Sequence, residues 1–224
     1  MKNIGLIGCG NIAETYFRAQ EYFNNINFVA CADINLDAAK KTAEQYNIAA
    51  LSVDEIFNDK NVDIILNLTI PQAHYEISKR ALEANKHVYC EKPMSVKFDD
   101  AKELLNLAKK NSLYIGNAPD TFLGGGGQLS RNVIDNNDIG QVLTGNFIFA
   151  FPGVQDFHPS PESWFQEGGG PVIDMGPYFF TTLINLLGPV KNIRGRGAKF
   201  FDKREYKAGP KKGETFNVDI PTSY

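Results

Sequence analysis

The sequence Gly8-Cys9-Gly10-Asn11-Ile12-Ala13 joins an apolar segment typical of a β-strand to a segment with helical spacing. Glycines in a Gly-x-Gly-x-x-Ala turn let the backbone reverse tightly and approach a pyrophosphate, while the amides and dipole of the following helix stabilise the phosphate charge. The pattern therefore predicts a dinucleotide-binding turn in which four residues lie at the cofactor: Gly8, Gly10, Asn11 and Ile12. By itself the motif also fits a plain tight turn with close helix packing.

Strand-like and helix-like segments alternate from residue 2 to about residue 117, which predicts a parallel sheet with crossover helices. The predicted strands are 3–8, 28–33, 62–68, 87–90 and 113–116, and the predicted helices are 12–23, 37–46, 72–84 and 98–110. We therefore expect an α/β protein whose N-terminal domain, residues 1–118, is a Rossmann dinucleotide-binding domain.

The alternation ends at Pro119 and at the glycine run Gly124–Gly127, which favours an irregular connection and a domain boundary. We expect a second, α+β domain over residues 119–224. Its predicted elements are a helix at 128–135, a β-rich segment at 141–151, an apolar helix ending near 187, a strand at 190–201 and an irregular tail from 202. These strands are too few to cover their own apolar faces, so we expect either a fragment or completion by another subunit.

Composition limits the classes of partner. The 224 residues are 43% hydrophobic, enough for a core, and the net charge of -3 with only one short basic region, 203–212, argues against nucleic acid. No apolar stretch approaches the roughly 20 residues that span a bilayer, so we expect no membrane partner, a cytoplasmic location and a small-molecule partner. Three cysteines without metal-ligand spacing indicate reduced thiols and no metal site.

Asp33 lies 23 residues after Gly10, at the end of the second predicted strand. A carboxylate there can accept hydrogen bonds from an adenosine ribose and repels a ribose phosphate, which predicts NAD rather than NADP. Thr69 and Pro71 follow the next strand, where the cofactor ribose and nicotinamide are expected to pass. His74 then falls in the first turn of a helix, where bonding to nearby backbone is the favoured role and direct cofactor contact the alternative.

Glu91-Lys92-Pro93 follows a short apolar strand, at the sheet edge where open α/β folds bind ligands. Hydride transfer between an alcohol and nicotinamide needs an acid/base at the hydroxyl. An ammonium favours the phenolate of a neighbouring tyrosine and polarises the substrate oxygen. We therefore predict Lys92 and Tyr178 as a catalytic couple, with Glu91 and Lys92 also at the cofactor.

Asp174 precedes Tyr178 by four residues, so the two share a face if both lie in one helix. Asp174 would then orient Lys92. In the competing interpretation, a helix begins at Gly176 and Pro177, and Asp174 is only a helix-start residue. Other interpretations are open for the remaining two residues: Tyr178 as an aromatic residue of the core, and Lys92 as a solvated lysine of a loop.

The polar and aromatic loop before Gly168 is a candidate lining for a sugar or polyol pocket. Its candidate substrate residues are His158 and Trp164, with Asp120 as a weaker candidate of the same kind. Trp164 is as readily explained by ordinary packing.

Together, residues 8–13, 69–74, 91–93 and 168–178 resemble the glucose-fructose oxidoreductase, inositol dehydrogenase and rhizopine-catabolism (Gfo/Idh/MocA) family. The resemblance implies a Rossmann domain followed by a domain with a large, open, mostly antiparallel sheet, often buried in an oligomer interface. It also implies that Lys92 contacts cofactor and substrate and that the Asp174 position belongs to the active site. Many members carry histidine where this chain has Tyr178, and members usually continue with several more strands, so we expect this sheet to be truncated.

We therefore expect an NAD-dependent oxidoreductase acting on a secondary alcohol of a sugar, polyol or diol, assembled as a homodimer or homotetramer through the C-terminal sheet. Two alternatives stay open at this point. One is an NAD-dependent glycosidase of the same family. The other is a non-catalytic NAD or sugar sensor, or an inactive fragment.

Overall fold

The structure, a computed structural model, describes residues 1–223. The chain divides into two compact units, the first comprising Met1–Ala118 and the second beginning at Pro119.

The first unit contains a six-stranded, fully parallel sheet in the order β3-β2-β1-β4-β5-β6. This is the order of a dinucleotide-binding fold, with the topological switch between β1 and β4. The predicted α/β architecture is confirmed. The strands are β1 Lys2–Ile7, β2 Ile26–Ala32, β3 Ala49–Leu51, β4 Ile64–Asn67, β5 His87–Glu91 and β6 Ile115–Ala118, and the helices are α1 Ala13–Ala19, α2 Leu36–Tyr46, α3 Val53–Asn58, α4 Pro71–Glu83 and α5 Phe98–Lys110.

Both faces of this sheet are covered by helices. One face packs Ile65, Leu82 and Leu104 into a core in which all three side chains are fully buried. The other packs Phe17 of α1 and Phe28 of β2 beside the Cys31 thiol. Each fully buried aliphatic or aromatic side chain contributes about 1.5–3 kcal/mol, so the sheet is a rigid support for the loops at its carboxyl edge.

Strand β3 and helix α3 were not predicted. A three-residue strand and a six-residue helix are too short to show a clear periodicity. One local signal was present, because Ser52 and Glu55 form a capping box: the Ser52 hydroxyl accepts from Glu55 N, and the Glu55 carboxylate accepts from Ser52 N.

The second unit contains helix α6 (Gly125–Asp135), a π-helical turn (Pro171–Met175) that continues into helix α7 (Gly176–Leu187), and an antiparallel pair of strands, β7 (Lys203–Glu205) and β8 (Thr215–Asn217). A small core packs Phe165, Tyr206, Phe216 and Val218. The antiparallel pairing expected for this domain is confirmed, with two strands in the part of the chain that is described.

The predicted strands at 141–151 and 190–201 were wrong. A strand needs a neighbour for its backbone hydrogen bonds, and within residues 1–223 neither segment pairs into a sheet, apart from one isolated bridge between Ala198 and Ser223. Their large apolar side chains stay exposed, as at Ile148 (87%) and Ile193 (74%). The tail predicted as irregular instead supplies β7 and β8.

Among residues 1–223, none of the helices combines the length and the apolar character needed to cross a membrane. In the same range, no cluster of three or more His, Cys, Asp or Glu side chains could hold a metal ion.

Candidate active site

The glycine turn connects β1 to α1 at the carboxyl edge of the sheet. Gly8 has φ +104°, and a Cβ built there would lie 2.6 Å from the carbonyl carbon and oxygen of Leu68. The Gly8 amide donates to Ala32 O at 2.9 Å, so the turn is held between β2 and β4. At Gly10, by contrast, a Cβ would meet no heavy atom of the described residues within 4 Å. The turn thus leaves open space at Gly10, as a backbone that receives a pyrophosphate requires.

Asp33 binds the glycine turn to the loop after β2. Its Oδ2 accepts from the Cys9 amide at 2.8 Å, and its Oδ1 accepts from the Asn35 amide at 2.8 Å. The Asn35 side chain in turn caps α2 by accepting from Asp37 N. The carboxylate therefore lies beside the glycine turn at the end of β2, where an adenosine ribose is recognised in dinucleotide-binding folds.

Asn67 organises the loop that contains Thr69. Asn67 is fully buried at the end of β4, and its Oδ1 accepts from the Thr69 amide (3.2 Å) and hydroxyl (2.7 Å). Its Nδ2 donates to His74 O and to Ser78 Oγ, both at 3.0 Å. Because all four partners are polar groups of one loop and helix, Asn67 fixes the start of α4 against the sheet.

His74 joins two loops at the same edge. The ring is buried, with Nδ1 2.6 Å from Pro93 O and Nε2 2.9 Å from Thr69 O. Both ring nitrogens thus face backbone carbonyls. Pro71 is the first residue of α4.

Glu91 and Lys92 lie at the end of β5 in a segment with several anchors. Glu91 Oε1 accepts from the Tyr16 hydroxyl at 2.7 Å, and Oε2 accepts from the Lys92 amide at 3.0 Å. Asn117 Nδ2 donates to Glu91 O at 3.0 Å. The Lys92–Pro93 peptide bond is cis. The backbone on both sides of Lys92 is therefore held by α1, β6 and, through His74, α4.

Asp174 and Tyr178 lie in the second unit. Asp174 is in the π-helical turn, and its Oδ2 accepts from Trp164 Nε1 at 2.9 Å. Tyr178 is in the first turn of α7, which begins at Gly176 with Pro177 near its start. The π-helical turn and α7 are continuous, so both interpretations of the sequence describe part of the result: α7 starts at Gly176, and Asp174 precedes it within a helical turn.

Trp164 takes part both in aromatic packing and in the hydrogen bond to Asp174. Its ring contacts Phe165 edge to face at 4.8 Å and Phe151 at 6.1 Å. It also lines a cleft of about 670 Å³ with Val172 and Phe179. Of the other candidate substrate residues, Asp120 and His158 are exposed, and His158 Nδ1 accepts from Ser160 N at 3.1 Å.

Reasoning from the sequence missed four features that hold the candidate site residues in place. Asn67 and Asn117 have a weak signal, since each is a polar residue at the end of an apolar strand. Tyr16 and the bond from Trp164 to Asp174 have none, because each pairing joins distant or irregular segments.

The geometry defines a class: a parallel sheet in the strand order of a dinucleotide-binding fold, with the glycine turn, the Asp33 carboxylate and the Lys92 loop at one edge. The model of an oxidoreductase family with an NAD-binding Rossmann fold matches residues 2–117, and the model of the GFO/IDH/MocA C-terminal domain matches residues 128–219. The chain belongs to the Gfo/Idh/MocA family, which confirms the resemblance inferred from its motifs.

Relatives of known name fit this assignment. The chain is 31% identical over 146 residues to inositol 2-dehydrogenase of Salmonella typhimurium, covering 62% of this chain and 43% of that protein. It is 25% identical over 215 residues to myo-inositol 2-dehydrogenase of Thermotoga maritima, covering 92% of this chain and 61% of that protein. The chain therefore spans less than two thirds of the length of either relative.

A solved structure of levoglucosan dehydrogenase in complex with NADH and levoglucosan has the same fold. It superimposes with a TM-score of 0.78 at 22% identity, covering 98% of this chain and 61% of that chain.

Proposed function

We propose that the chain is part of an NAD-dependent oxidoreductase that transfers a hydride between nicotinamide and a secondary alcohol of a sugar, polyol or diol. The observation that carries the proposal is the fixed position of the Lys92 segment, at the same sheet edge as the glycine turn and Asp33. The names of the related inositol dehydrogenases support the substrate class.

The residues at this edge fit NAD. Open space at Gly10 suits a pyrophosphate, Asp33 presents a carboxylate for ribose hydroxyls, and Thr69 is held by Asn67 at the next strand end. Bound NAD would supply the hydride acceptor. Gly8, Asn11, Ile12, Pro71, Glu91 and Lys92 complete the proposed cofactor-binding set. His74, whose two ring nitrogens face the carbonyls of Pro93 and Thr69, is proposed to position the loops around the cofactor rather than to contact it.

In the proposed reaction, Tyr178 takes the hydroxyl proton as the alcohol carbon loses its hydride. Lys92 supplies a positive charge that polarises the substrate oxygen and favours the phenolate. Asp174, held by the Trp164 indole, balances the charge of the ammonium. Asp120, His158 and Trp164 are the proposed contacts to the substrate.

The test is NADH formation, followed by absorbance, when the 224-residue chain is mixed with NAD and a panel of inositols, sugars and diols. Turnover on polyols supports the proposal. NAD binding without turnover on any member of the panel would contradict an oxidoreductase role for this chain.

Asp33 gives a prediction for cofactor choice. Asp33→Asn removes a charge that would repel a ribose phosphate, and at a few ångströms this repulsion amounts to about 1–4 kcal/mol. We expect the ratio of kcat/KM for NADP to that for NAD to rise about tenfold or more. Asp37→Asn, which loses the same charge in the first turn of α2, is the matched control and should leave the ratio unchanged. A wild-type preference for NADP would refute the assignment.

We also propose a cytoplasmic homodimer or homotetramer assembled through the second unit. All three cysteines are free, as suits a reducing compartment. Exposed apolar side chains of the second unit, such as Ile148 and Phe200, favour contact with another subunit. Light scattering should give a mass two or four times 24.9 kDa, and a monomeric mass would contradict assembly.

A further inference from the structure

We propose that Tyr16 is a positioning residue: its hydroxyl holds the Glu91 carboxylate, and that carboxylate holds the backbone of Lys92. These hydrogen bonds stand on the geometry of the first unit alone. Their effect on turnover rests on the proposed function, in which the Lys92 ammonium polarises the substrate oxygen.

The Glu91 carboxylate connects helix α1 to the residue that follows β5. Its Oε1 accepts from the Tyr16 hydroxyl at 2.7 Å, and its Oε2 accepts from the Lys92 amide at 3.0 Å. A bond from a hydroxyl to a carboxylate is charge-assisted, a class about twice as strong as neutral hydrogen bonds. Because the stronger bond fixes one oxygen, the other oxygen stays directed at the Lys92 amide.

The Glu91 side chain depends on this anchor because it is long and half-buried. Ordering a glutamate side chain into one rotamer carries a large entropic cost, which a strong bond at its end offsets. Without the Tyr16 hydroxyl, one oxygen of a partly buried carboxylate loses its donor, which is costly. We expect the carboxylate then to turn towards solvent, so that its bond to the Lys92 amide is lost.

The backbone on both sides of Lys92 has anchors that do not involve the tyrosine hydroxyl. Asn117 Nδ2 donates to Glu91 O at 3.0 Å, which holds the end of β5 against β6. On the other side, His74 Nδ1 lies 2.6 Å from Pro93 O. Loss of the hydroxyl should therefore free the Lys92 amide without opening the end of the strand.

Tyr16 joins the helix of the glycine turn to the lysine segment. Helix α1 begins at Ala13, directly after the turn, and Tyr16 is its fourth residue. The half-buried ring packs against the core that contains Phe17, while the hydroxyl reaches Glu91. A Tyr16→Phe substitution therefore removes the hydrogen bond and keeps the packing of the ring.

Tyr16→Phe is expected to lower kcat for polyol oxidation about 10- to 100-fold, because a displacement of about 1 Å in a site can cost on the order of 10²-fold in rate. Removal of an interaction that acts only in the transition state lowers kcat and leaves KM nearly unchanged. The free energy of unfolding and the Kd for NAD should change much less, since the glycine turn and Asp33 are held by other bonds.

A double-mutant cycle with Glu91→Ala tests whether Tyr16 acts through Glu91. In that case Tyr16→Phe lowers kcat in the wild type but changes it by less than about twofold once residue 91 is alanine. Effects of the two substitutions that multiply would overturn the proposal. If Glu91→Ala does not fold, Glu91→Gln takes its place: the amide has one acceptor oxygen instead of two, so most of the Tyr16→Phe effect should again disappear.

Amide hydrogen exchange, followed by NMR on the 224-residue chain, measures the same connection without turnover. In the wild type the Lys92 amide is protected by its bond to Glu91. Tyr16→Phe and Glu91→Ala should each speed its exchange about tenfold or more, the effect of losing one hydrogen bond to a charged group. The amide of Leu66, in the buried strand β4, should keep its wild-type rate in both variants.

The matched control is Tyr46→Phe. Tyr46 is half-buried as well and stacks on Phe17 with 3.9 Å between ring centroids, but its hydroxyl accepts from Gln45 Nε2. Loss of this hydroxyl should change neither kcat nor the exchange rate of the Lys92 amide. The comparison separates the bond to Glu91 from the general effect of removing a tyrosine hydroxyl beside the same core.

Unchanged exchange of the Lys92 amide in Tyr16→Phe overturns the proposal, as does faster exchange with kcat still within about twofold of the wild type. If the wild-type chain shows no turnover on any polyol, the proposed function fails. Amide exchange then still decides whether the Tyr16 hydroxyl holds the Lys92 segment, so the two failures are distinguishable.

Discussion

Tyr178→Phe is expected to lower kcat for polyol oxidation by about 10²- to 10⁴-fold, the range that general acid/base groups contribute. The change removes only the phenolic hydroxyl, so the ring keeps its place in the first turn of α7. NAD affinity should stay within about twofold, because the proposed cofactor residues all lie in the first unit, residues 1–118. Stopped-flow or steady-state absorbance measures kcat, and NAD titration measures the Kd.

The matched control is Tyr22→Phe. Tyr22 is 76% exposed and follows α1, so loss of its hydroxyl should change neither kcat nor Kd. If Tyr178→Phe keeps kcat within about threefold of the wild type, tyrosine is not the acid/base and another group must take the proton.

Gly8→Ala is expected to lower the free energy of unfolding by about 2–6 kcal/mol. A non-glycine residue at a strained positive φ costs about 1–3 kcal/mol. Forcing a methyl group into a packed site costs about 1–3 kcal/mol more. Here φ is +104°, and the new Cβ would meet the Leu68 carbonyl at 2.6 Å and Thr69 N at 2.9 Å. These backbone atoms cannot move away from the new methyl group as the end of a flexible side chain could. Urea unfolding followed by far-UV circular dichroism measures the change.

Gly10→Ala separates stability from cofactor binding. Its methyl group would meet no atom of residues 1–223 within 4 Å, so stability should fall by less than about 1 kcal/mol. The methyl would nevertheless occupy the side proposed for the pyrophosphate, and we expect NAD affinity to fall. If Gly8→Ala and Gly10→Ala lower the free energy of unfolding equally, the contact between Gly8 and Leu68 does not determine the conformation of the glycine turn.

The first unit was well predicted because its signals are local. Apolar strands, amphipathic helices and a glycine turn recur within short windows, and the parallel sheet that they imply is confirmed. The second unit was predicted less well. Residues 141–151 have strand-like composition but no pairing strand within residues 1–223, and the partner that a β-strand requires is not encoded in the local sequence.

The sequence alone determined the parallel sheet and its family, because glycine spacing and strand-helix periodicity are properties of neighbouring residues. It also led to the proposal of Glu91, Lys92, Asp174 and Tyr178 as site residues, which stays a prediction. Only the tertiary structure decided what holds them, since Tyr16 meets Glu91 across 75 residues and His74 spans two loops. Such contacts form because the packed sheet brings distant strand ends to one edge, a condition that no short window of sequence encodes.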